Sequence, residues 1–106
     1  MQKLKFKNMS NNILLAIQVL PKVKDGNTVA VVNKVIEIIQ GSGVKYKVCP
    51  FETVMEGPYD KLIQIVGDAQ KVCLDAEVEE ALISIKIELR PHRDVTIEGK
   101  TSRYGG

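Results

Sequence analysis

Two stretches of apolar alternation, "ILLAIQVLP" at 13–21 and "ALISIKIEL" at 81–89, constrain this chain more than anything else in it. In the first, Ile13, Leu15, Ile17 and Val19 share one face, and Leu14, Ala16, Gln18 and Leu20 the other. In the second, Ile83, Ile85, Ile87 and Leu89 oppose Leu82, Ser84, Lys86 and Glu88. Successive side chains of a strand point to opposite sides, so each stretch has a wholly aliphatic face that needs a cover. With 106 residues in all, the chain is the size of one domain, and that cover has to come from the residues between.

Those residues hold two helices and two short strands. "TVAVVNKVIEIIQ" follows the turn-forming Asp25-Gly26, with Asn27 or Thr28 placed to cap it. Its expected buried stripe is Val29, Val32, Val35, Ile36 and Ile39, and Gly41 is its expected left-handed terminator. "VKYKVCP" and "TVMEG" alternate as strands. Gly57-Pro58 then breaks the second of these, and Pro58 is placed at or near the first position of a helix with Leu62, Ile63, Val66, Ala69 and Val72 or Cys73 inward. Pro21 and Pro91 are expected to stop the two long strands, and "DVTIEGKTSRYGG" reads as a frayed or short helical tail weakened by Gly99. The order is β-α-β-β-α-β, which matches the α+β ferredoxin-like arrangement: a four-stranded antiparallel sheet with both helices on one face. The domain is expected to span 13–106, after a polar leader at 1–12.

Composition excludes several functions. Fifteen Lys and Arg against thirteen Asp and Glu leave a net charge of +2, too little for a dedicated electrostatic nucleic-acid binder. The strands that would stack RNA bases on this fold, "LLAIQVL" and "TVMEG", carry no aromatic residue. Cys49 and Cys73 are too far apart for a CxxC motif and read as reduced thiols; His92, the single histidine, reads as a solvated loop residue. "MQKLKFK" before "ILLAIQVL" superficially resembles a signal peptide, but "NMSNN" separates them and Gln18 interrupts an apolar run too short to span a bilayer. The expectation is a cytoplasmic protein that engages neither membrane nor nucleic acid. No Walker loop, dinucleotide fingerprint, zinc motif or GxSxG is present, which argues against an enzyme.

"LLAIQVLP", "FETVMEGPYDKLIQIV" and "ISIKIELRPHRDVTIEGKTSRY", in this order, resemble the small thiamine-binding-like proteins, over roughly residues 13 to 104. The most distinctive pieces are the T-x-x-E-G step into the second helix and the "IKI…RP..DVT" run. The resemblance implies non-catalytic binding of thiamine or its hydroxymethylpyrimidine half near a subunit interface. It also implies self-association into dimers or dimers of dimers, with no cofactor beyond that ligand. By motif, the polar pocket falls on Thr53 and Glu56; Gln18, Ser84 and Lys86 are added from their strand positions. A carboxylate, amide or hydroxyl can meet the amine and ring nitrogens of an aminopyrimidine. Thr53 and Glu56 are three apart and share a site only if the strand bends at Gly57-Pro58. The competing reading is a regulatory or assembly module of the same fold with no ligand, in which Glu56 merely favours a helix start; a small hydrolase ranks third.

Overall fold

A computed structural model describes residues 11–75 and 77–105 of the chain; most of the expected leader, residues 1–10, lies outside the described residues. The elements are β1 (Asn12–Val23), α1 (Thr28–Gly41), β2 (Lys45–Val48), β3 (Thr53–Pro58), α2 (Tyr59–Cys73), β4 (Val78–Glu88) and a short α3 (Ile97–Thr101), followed by a 3-10 turn at Ser102–Tyr104. The sheet order is β2-β3-β1-β4, antiparallel throughout. This is the ferredoxin-like fold.

The aliphatic face of β1 meets the two helices as its alternation requires. Ile13, Leu15, Ile17 and Val19 pack with Met55 of β3, Val35 and Ile39 of α1, and Leu62, Ile65, Val66, Ala69 and Cys73 of α2. Leu15, Ile39, Met55 and Leu62 are fully buried, and each contributes about 1.5–3 kcal/mol through the apolar surface it removes from water.

Several boundaries differ from the sequence pattern, each for a local reason. β1 continues through Pro21 to Val23. Among the described residues only β4 borders it beyond Ile17, so one side of the strand needs no ladder donor from proline. α1 includes Gly41, and the left-handed residue after it is Gly43, at φ 83°. Val29 is 65% exposed rather than buried, and in α2 the inward residue is Ile65, not Ile63. β3 does not break at Gly57: it stays extended through Pro58, whose φ of −63° and ψ of 145° make it the residue preceding α2 rather than the first within it. A Cβ at Gly57 would lie 3.3 Å from Leu62 Cδ2, so a larger residue there would crowd the Leu62 side chain.

The C-terminal segment forms a third layer, on the sheet face opposite α1 and α2. Val95 is 2% exposed and its N–H donates to Asn12 O at 2.9 Å. Thr96 caps α3 by accepting from Gly99 N–H through Oγ1 at 2.9 Å. A Cβ at Gly99 would stand 2.8 Å from that oxygen, so the glycine expected to weaken the tail is what lets its cap form. Lys100 ties α3 to β4 through Glu88 at 2.7 Å.

Candidate functional site

The pairing register distributes the five candidate residues over two faces. Leu14 pairs with Glu56 and Glu88, Ala16 with Val54 and Lys86, and Gln18 with Ser84. Gln18, Glu56, Ser84 and Lys86 therefore share the sheet face turned away from α1 and α2. Thr53 pairs with Ile17 and faces the helices. Because β3 runs straight through Gly57, the bend that would have put Thr53 and Glu56 in one pocket does not occur.

Glu56 is buried and occupied. Its Oε1 accepts from Ile97 N–H, the first residue of α3, at 2.9 Å across 41 positions of sequence. A carboxylate at a helix start meets unpaired N–H groups, but the helix is α3, not the α2 beside it in sequence. Lys86 is exposed and forms a surface ion pair with Glu52 at 3.4 Å. Such a pair contributes about 0–1 kcal/mol. Gln18 is half-buried and Ser84 exposed, side by side on the part of the face beyond α3.

Thr53 has different surroundings. It is 7% exposed, and its hydroxyl has no hydrogen-bond partner among the described residues. It opens on a groove of about 410 Å³ whose lining includes Ile17, Val19, Val32, Ile36 and Gln18. The outer wall is the β2–β3 turn, closed by Cys49 N–H on Glu52 O at 2.9 Å, with Pro50 and Phe51 at its tip. Phe51 is 81% exposed. It eluded pattern reading because a turn residue belongs to no apolar period; the available signal was an aromatic set directly after proline in a two-residue turn. Val32 and Ile36 were assigned to the core stripe of α1 and instead form the groove's helical wall.

Cys49 and Cys73 are both free thiols, and burial raises the Cys73 pKa above its ordinary value. Among the described residues no cluster of His, Cys, Asp and Glu is arranged to hold a metal ion, and no helix is long and apolar enough to cross a membrane.

Residues 15–105 match the model of the thiamine-binding protein family. The chain belongs to that family. A UPF0045 protein of Clostridium perfringens is 38% identical over 90 residues, which is 85% of this chain and 94% of the relative. Among solved structures, a domain of unknown function, DUF77, from Bacillus cereus superposes with a TM-score of 0.85 at 42% identity, covering 92% of this chain and 94% of that one. A Thermotoga maritima protein, provisionally described as one of thiamine biosynthesis or salvage, superposes at 0.77 with 28% identity, covering 88% and 98%. As a member of the thiamine-binding protein family, the chain has a general thiamine-related role, and both superpositions extend over nearly the whole ferredoxin-like domain.

Proposed function

We propose that this protein binds thiamine or its hydroxymethylpyrimidine half without transforming it, in the groove headed by Thr53, and that it does so as a homo-oligomer. The observation that carries this reading is the Thr53 hydroxyl, without a protein partner among the described residues and open to the groove that Thr53 lines. That oxygen is open to the groove rather than sealed from solvent, so a ligand there can take the place of water as its partner. Family membership supplies its chemical class, and an aminopyrimidine offers ring nitrogens that a hydroxyl can serve. Gln18 borders the same groove, with its side chain on the opposite sheet face. Glu56 we assign to holding α3, since its carboxylate is already engaged there.

Ser84 and Lys86 we assign to the face between copies. They share the uncovered part of the sheet with Leu20, 51% exposed, and Leu82, 62% exposed. This mixed strip suits the sheet of a second protomer, in a dimer or a dimer of dimers. Gln18 and Leu20 also line the groove, so a ligand there would lie near the interface. The two free thiols suit a reducing, cytoplasmic setting. The same apolar strip favours a second reading, an assembly module with no ligand.

Isothermal titration with thiamine and, separately, with hydroxymethylpyrimidine decides between them. Saturable binding is expected, near one ligand per protomer or per interface. In Thr53→Val, which keeps the side-chain shape, affinity is expected to fall by about 1–3 kcal/mol, the cost of a buried polar group left unpaired. No heat and no melting shift with either ligand would leave only the assembly module.

A further inference from the structure

We draw no further inference here: the strongest candidate, the cavity of about 600 Å³ between the C-terminal end of α2 and the first half of β4, joins the buried Cys73 thiol to the exposed Glu79 and Glu80, and nothing in the structure shows what covers it.

Discussion

Two carboxylate contacts fix where the C-terminal helix begins. Asp94 Oδ1 accepts from Asn12 N–H at 2.7 Å, and Glu56 Oε1 accepts from Ile97 N–H at 2.9 Å. Glu56 is 9% exposed, so removing it strands a donor rather than handing it to water. Glu56→Ala is expected to lower stability by about 1–3 kcal/mol, and Glu56→Gln, which keeps an acceptor oxygen, by less. Both should leave thiamine affinity near that of the wild type. Urea midpoints and titration calorimetry on the two variants check this, and a Glu56→Gln protein with native stability but lost affinity would return Glu56 to the ligand. The three-residue spacing already put Thr53 and Glu56 on opposite faces of a regular strand. What local pattern could not supply was Ile97, 41 positions away, or that Pro58 would keep the strand extended. Proline's fixed φ is as compatible with a strand end as with a helix start.

At the scale of elements, strands were legible and helix phase was not. β1 and β4 alternate cleanly, and their registers follow from that. α1 carries Val29, Val31, Val32, Val35, Ile36, Ile38 and Ile39 on nearly every side, so several stripes are equally apolar. Packing against β1 and α2 selects Val35 and Ile39 for full burial and leaves Val29 in water. α2 is more polar on its outer side, and Leu62, Val66 and Ala69 fall where the period puts them, while of Val72 and Cys73, which the period leaves open, Cys73 is the buried one. Cys73 at its C-terminal end gives this helix a pH dependence. Burial raises its pKa by disfavouring the thiolate. With the folded value above the unfolded one, its contribution is complete below the unfolded thiol pKa and is lost as pH rises through the folded value. The stability gap between wild type and Cys73→Ala should therefore be constant through neutral pH and narrow in alkaline solution. Urea midpoints across a pH series measure it, and a gap that stays constant or widens would mean the thiol stays wet in the folded chain.

At the scale of the whole molecule, the sheet is covered unequally. Among the described residues, α1 and α2 cover one face, and on the other α3 contacts Glu56 and Glu88 directly and borders β2 at Lys45–Lys47. Leu20 and Leu82, paired across β1 and β4, stay in water together, and among the described residues β4 pairs along one edge only. A long, apolar and unpaired edge strand is a liability for a monomer and is ordinarily paired or covered. A second copy meets this requirement without any new sequence, since a two-fold contact uses the same patch twice. Leu82→Lys places a charge at the centre of that strip while touching nothing in the core. Sedimentation should show an oligomer for the wild type and a protomer for Leu82→Lys, with the variant's far-ultraviolet spectrum unchanged. Ligand titration of the same variant then separates two arrangements. Retained affinity means the Thr53 groove is complete within one protomer, whereas affinity lost with assembly means the partner copy closes it. A wild type that sediments as a protomer would remove the interface and leave the exposed strip to be explained by another partner.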